Sequence, residues 1–214
     1  MTIRTSGGGA SNRQDRRKAA TRGKILSAAE RLFGQQGYDQ TSIDDISEAA
    51  DVAVRTIYMH FPSKAAIMLA GFDAWVDQFV AAVLGRPVEE PVLETVRAVL
   101  EELETQGWED HSEVEGSALH PMVAHLYNGS PDIAGHVLQR WMHEIERIAR
   151  DAIERSDYPA GSLEPHARAL AMFAAWIGAL STAGGRGRGI ELPAEASGHS
   201  LGLSILQALT RGDL

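Results

Sequence analysis

The chain has 214 residues, 44% hydrophobic and 23% charged. This is a globular composition that excludes a disordered or fibrous protein and a large multidomain enzyme. Cysteine is absent, which excludes disulfides, thiolate metal sites, iron–sulfur clusters and cysteine nucleophiles. The net charge of −9 is split unevenly: residues 1–70 hold ten Lys and Arg against seven Asp and Glu, a balance of +3, while the rest hold ten against twenty-two, a balance of −12. A cationic N-terminal segment on an acidic body points to a polyanionic partner for one end only.

In chain order, residues 1–14, of which the first twelve are rich in Gly, Ser and Asn, are predicted to be a disordered basic arm. They show no apolar leader, and no later segment runs eighteen uncharged apolar residues, so a cytoplasmic protein is expected. From Asp15 to Gln36, Ile25, Leu26, Ala29, Leu32 and Phe33 keep one helical stripe, which Gly37 closes. Thr41 is placed as the N-cap of a short helix through Ala50, with an acidic residue three positions on. After a three-residue turn at Asp51, a second short helix is predicted from Val54 to Phe61, ended by Pro62.

Ser63 is expected to open one long fourth helix along Met68, Leu69, Phe72, Trp75, Val76, Phe79, Val80 and Val83, until Gly85. Helices follow over Val92–Gln106, roughly Glu115–Asn128, Pro131–Arg155, Glu164–Ala183 and Ala196–Thr210. No alternation of a β kind stands out, so the class is all-α with about nine helices.

Two short helices joined by a tight turn, after a basic helix, are the parts of a helix-turn-helix, whose second helix enters the major groove. Here the residues Thr41-Ser42-Ile43-Asp44-Asp45-Ile46-Ser47-Glu48-Ala49-Ala50-Asp51-Val52-Ala53-Val54-Arg55-Thr56-Ile57-Tyr58-Met59-His60-Phe61-Pro62-Ser63-Lys64 resemble the TetR family of bacterial transcriptional repressors. The likeness continues upstream through Ile25, Ala28, Ala29, Leu32, Phe33, Gly37 and Tyr38. It departs from the family pattern at Asp51, where a turn Gly is usual, and at Ala53, where a polar cap is usual. The organisation it implies is a helix-turn-helix domain over 15–66 and an effector-binding and dimerisation domain over 67–214.

Within the reading domain, Thr41 and Ser42 are expected to hold a phosphate at a helix N-terminus. Arg55 is the expected guanine reader through O6 and N7, and Val54 and Met59 meet thymine methyl groups. The resemblance implies that Thr56, Tyr58 and His60 lie on the DNA side, the last two against the backbone. Lys64 is expected to reach a phosphate, while Ile57 and Phe61 are core. Arg16, Arg17, Lys18 and Arg22 supply phosphate attraction, with Arg13 or Arg4 reaching the minor groove as flexible arms do.

The acidic body resembles the family's effector domain in architecture. A palindromic DNA operator read by a homodimer needs an interface. It is expected on the last two helices, at Leu170, Ala174, Ile177, Gly178, Leu201, Ile205 and Leu209. Phe72, Trp75, Phe79, Met122, His125, Tyr127, Trp141, Phe173 and Trp176 are the candidate lining for a small apolar or aromatic effector, with His120 as a further polar handle. The acidic run Glu89, Glu90, Glu94, Glu101, Glu102, Glu104, Glu109 and Asp110 is read as a solvated face. His111, Glu113 and Glu115 fit no metal-ligand spacing, so no metal and no cofactor is expected. No nucleophile elbow, phosphate-cradling loop or paired Glu-x-x-His motif supports the alternative of a helical-bundle enzyme. A DNA-binding module controlled by a protein partner is the other alternative.

Overall fold

A computed structural model describes residues 8–107, 130–185 and 198–211. The chain falls into two compact units, Met1–Gly71 and Phe72–Leu214, and the described residues form helices without a strand. The all-α expectation holds.

The first unit contains α1 (Gly8–Gln36), α2 (Ile43–Ala50), α3 (Val54–His60) and α4 (Lys64–Met68). Ile25, Ala28 and Ala29 from α1 pack on Ile46 and Ala50 of α2, Ile57 at the centre of α3, and Phe61, Ala66, Ile67 and Ala70 beyond it. Of the expected α1 stripe, Ile25 and Ala29 are buried here and Leu26, Leu32 and Phe33 pack partly buried against the cluster; Ile57 and Phe61 are core as expected, whereas Ala66, Ile67 and Ala70 lie off the stripe expected for the fourth helix. Three expectations are corrected. The helix starts at Gly8, not Asp15, so residues 8–14 are helical rather than a disordered arm. Propagating a formed helix costs far less than nucleating one, and Gln14, Arg16, Arg17, Lys18, Ala19 and Ala20 are good or fair helix formers. The cap of α2 is Ser42, not Thr41. The long fourth helix is two helices, because Leu69, buried at φ −95° and ψ 12°, leaves the helical well, and Gly71 just beyond it is a weak helix former.

The second unit holds α5 (Ala70–Leu84, from Phe72 onward), α6 (Val92–Thr105), α7 (Pro131–Arg155), α8 (Glu164–Gly185) and α9 (Gly198–Arg211). Helices α8 and α9 pack together, α7 lies on α8, and α6 touches both α8 and α9. Their core includes Phe79, Val96, Val99, Leu103, Ile133, Val137, Phe173 and Leu206. The helix expected over 115–128 lies outside the described residues, as do Met122, His125, Tyr127, His111 and His120.

The loop from α5 to α6 is held by three arginines. Arg155 donates to the carbonyls of Leu84 and Arg86, both at 2.7 Å, Arg168 to those of Val88 and Glu90, and Arg86 forms a two-pronged pair with Glu90. Glu90 also accepts from Thr95 Oγ1 at 2.8 Å. Hence Glu90 is not part of a solvated acidic face, and the Arg86 guanidinium, followed by Thr95, lowers its carboxyl from 4.5 to about 2. Glu89 too is held, by Ser156 Oγ at 2.9 Å.

Candidate nucleic-acid interface

The helix-turn-helix is built by caps. Ser42 Oγ accepts from the Asp45 N–H at 3.0 Å, and Asp45 Oδ2 accepts from the Ser42 N–H at 2.8 Å, a reciprocal capping box that satisfies two amides. The Ser42 N–H first, and the Ser42 hydroxyl after it, hold the Asp45 carboxyl below its ordinary value. The remaining amides at the exposed α2 N-terminus suit an anion.

Thr41 is placed differently from its expected phosphate-holding role. It is 1% exposed; its hydroxyl donates to the Gly37 carbonyl at 2.8 Å and accepts from Gln36 Nε2 at 3.3 Å. Its oxygen is consumed in joining α1 to α2, which leaves Ser42 as the outward residue.

The turn rests on Asp51, which adopts the left-handed conformation at φ 54° and ψ 51°, a region that Asp tolerates better than most residues. Ser47 Oγ donates to the Val52 carbonyl at 2.6 Å and the Val52 N–H to the Ser47 carbonyl at 3.1 Å, so Ser47 straddles the turn. Ala53, at the N-cap of helix α3, supplies no side-chain cap bond.

On α3 the inward residue is Ile57, fully buried. Arg55, Tyr58 and Met59 fall at i, i+3 and i+4, which is one face of a helix. All three are exposed, Tyr58 to 54% and Met59 to 73%. Val54 and Thr56 are half-buried at its flank. His60 is half-buried at the end of the helix, with Nδ1 enclosed and without a hydrogen-bond partner.

Lys64 does not stand out as a point charge toward a phosphate. Its Nζ donates to the carbonyls of Tyr38 at 2.9 Å and Thr41 at 3.0 Å and lies 4.1 Å from the Tyr38 ring centroid. Two of its three N–H donors are thus spent inside the domain. Arg22 is also turned inward, its guanidinium 4.2 Å from the Phe61 ring centroid, a cation–π contact joining α1 to the end of α3. Arg17 remains exposed on α1. The Lys64 and Arg22 contacts carry no local signal in the sequence, since Tyr38 and Phe61 are far from them along the chain.

In the second unit, six of the nine candidate effector residues are described, and they touch ring to ring. Trp75 stacks on Phe79 at 5.3 Å and meets Trp176 edge-on at 5.0 Å. Phe79 meets Phe173 at 6.3 Å, Phe173 meets Trp141 at 6.2 Å, and Trp141 meets Phe72 at 6.3 Å. Beside this cluster runs a polar ladder that was not anticipated. Asp73 pairs with His136 Nε2 at 2.9 Å, Asp77 with Arg140, and the buried Glu144 with Arg140 at 3.1 Å and Arg147 at 3.3 Å. The first two pairs share a separation of 63 residues, so α5 and α7 run parallel.

The candidate dimer face is apolar and open. Leu170, Ile177 and Leu209 are 52%, 43% and 41% exposed, with Ala174, Leu201 and Ile205 half-buried and Gly178 within α8.

The family model described as "Bacterial regulatory proteins, tetR family" matches residues 25–70, the stretch that forms the caps, turn and reading helix. The HTH-type transcriptional regulator TcmR of Streptomyces glaucescens is 33% identical over 143 residues, 64% of this chain and 61% of that protein. The HTH-type transcriptional regulator TtgR of Pseudomonas putida is 43% identical over 54 residues, 25% of this chain and 26% of that protein. The chain thus aligns with less than two thirds of the length of either relative. Among solved structures, a Thermus thermophilus TetR-family transcriptional repressor, FadR, in complex with lauroyl-CoA, superposes with a TM-score of 0.50 at 18% identity, covering 90% of this chain and 95% of that one. At that identity the likeness concerns the fold.

Proposed function

Because the chain belongs to the TetR family of bacterial helix-turn-helix regulators, we propose that it is a sequence-specific DNA-binding transcriptional regulator and not an enzyme. In this reading it is a repressor that holds a palindromic operator as a homodimer and is released by a small apolar or aromatic effector. The observation that carries it is the exposed face of Arg55, Tyr58 and Met59 on α3, braced by a capped α2 whose N-terminus is open to a phosphate.

Each part has its support. Arg55 supplies the fork geometry that guanine O6 and N7 accept, and Met59 the apolar surface for a thymine methyl. Ser42 and the α2 amides set the register on the backbone, with Tyr58 and His60 beside them. The open apolar face of α8 and α9 is the surface through which two copies would pair, as a two-fold operator requires. The ring cluster from Phe72 to Trp176 supports an apolar or aromatic effector class, since aromatic surface favours flat apolar molecules. Release follows if the effector binds more tightly to the dimer whose reading heads do not match the groove spacing.

Selection from a random-sequence duplex pool tests the reading. The full-length protein is expected to enrich an inverted repeat whose half-sites lie about 34–36 Å apart, or a multiple of that. A pool that remains random after repeated rounds would contradict it.

A further inference from the structure

Helix α1 is longer than its domain. All eight residues from Arg13 to Ala20 are exposed, and the helix turns inward only from Thr21 and Arg22 to the buried Ile25. At 1.5 Å per residue those eight residues carry the chain about 12 Å beyond the last inward contact. They include Arg13, Arg16, Arg17 and Lys18 against one acid, Asp15, a balance of +3. The root of this projection is fixed, because Arg22 stacks on Phe61, the residue directly after the reading helix α3.

We infer that residues 13–20 form a rigid helical arm that lies along the phosphates of double-stranded DNA flanking the half-site. This rests on the reading of α3 as the base-reading helix, since the Arg22–Phe61 contact starts the arm at its end. The partner follows from the charge: four cations on two turns suit a polyanion, and DNA is the polyanion α3 brings alongside. The shape decides where on DNA the arm goes. An α-helix with its side chains is about 10–12 Å across, whereas the minor groove is about 6 Å wide. The arm therefore rides on the phosphates instead of threading the groove as a flexible arm would, and it adds affinity without reading sequence.

The test uses the full-length protein and the duplex it enriches, in two lengths: one trimmed to the outer ends of the half-sites, the other with ten further base pairs on each side. Fluorescence anisotropy is measured across salt for the parent and for a variant carrying Arg13→Gln, Arg16→Gln, Arg17→Gln and Lys18→Gln. Glutamine keeps helix propensity close to that of arginine and lysine. The parent should bind the long duplex more tightly than the trimmed one, and the variant should lose that preference. Its log–log salt slope on the long duplex should be shallower by up to ~3.6, at about 0.9 per phosphate contact. Equal slopes for parent and variant would overturn the inference. So would a slope change of the same size on the trimmed duplex, which would put the contacts inside the site. A second variant, Ala20→Pro, keeps every charge and breaks the helix at the root of the arm. It too should lose the preference for the long duplex, and a retained preference would overturn the rigid arm. A parent that enriches no duplex, or that binds its duplex no better than a scrambled one, removes the DNA-reading proposal and this inference with it.

Discussion

Lys64 is bound to Tyr38 twice, through a hydrogen bond of 2.9 Å to its carbonyl and a cation–π contact 4.1 Å from its ring centroid. The same ammonium reaches the Thr41 carbonyl, so one side chain ties α4 to the segment between α1 and α2. Tyr38 and Thr41 are 3% and 1% exposed, and water is poorly placed to replace the lysine. Lys64→Met, which keeps the stem and removes the donors, is expected to destabilise the first unit by about 1–3 kcal/mol. Urea unfolding followed by helical signal checks this, and an unchanged midpoint would show that the brace contributes nothing.

The turn at Asp51 and the bare cap at Ala53 leave room for improvement. Asp51→Gly removes the cost of a Cβ in the left-handed region and is expected to stabilise by about 0.5–1 kcal/mol. It also removes an anion from the turn of the proposed DNA-binding face, so operator affinity should rise. Ala53→Ser supplies the missing acceptor for the first-turn amides of α3 and is worth about 1 kcal/mol. Thermal unfolding and anisotropy together test both, and a destabilised glycine variant would contradict the reading of the turn.

Glu90 gives the second unit an acid-labile contact. Its carboxyl is lowered from 4.5 to about 2 by Arg86 and Thr95. The folded state therefore releases this proton more readily than the unfolded chain. The stabilisation is present above pH 4.5 and is lost as pH falls from 4.5 through about 2. Glu90→Gln should be less stable than the parent at neutral pH, and the difference should shrink over that interval. A difference that does not vary with pH would show that the Arg86 pair is not its source.

Leu170 and Ile177 expose 52% and 43% of their surface seven residues apart on α8. The double variant Leu170→Glu and Ile177→Glu places charges on the proposed dimer face without touching a buried core residue. Light scattering should report half the parent's mass, and operator binding should weaken and lose its two-fold cooperativity. An intact dimer would place the interface elsewhere.

The reading helix, the turn and the core of the first unit were legible because each is set by neighbours in sequence: caps three residues apart, a turn residue, an apolar stripe. Where two hydroxyls adjoin, as at Thr41 and Ser42, sequence does not say which one caps. The bond from Thr41 to the Gly37 carbonyl decides it. The inward roles of Lys64 and Arg22 were not legible, since their partners lie 26 and 39 positions away in the chain. The Asp73–His136 and Asp77–Arg140 pairs span 63 residues. The i, i+4 spacing of acids on α5, matched by a histidine and an arginine on α7, was their only trace. The break at Leu69 left even less, because the helical stripe runs on across it.

The central claim is that α3 reads DNA sequence through Arg55. Its most direct test is fluorescence anisotropy of the parent and Arg55→Ala on the enriched duplex and on a scrambled one, across salt. The parent should favour the enriched duplex and weaken steeply with salt. Arg55→Ala should lose about 1–3 kcal/mol of that preference, close to tenfold for each 1.4 kcal/mol. Equal, weak binding of the parent to both duplexes, or an Arg55→Ala variant that discriminates as well as the parent, would contradict the claim.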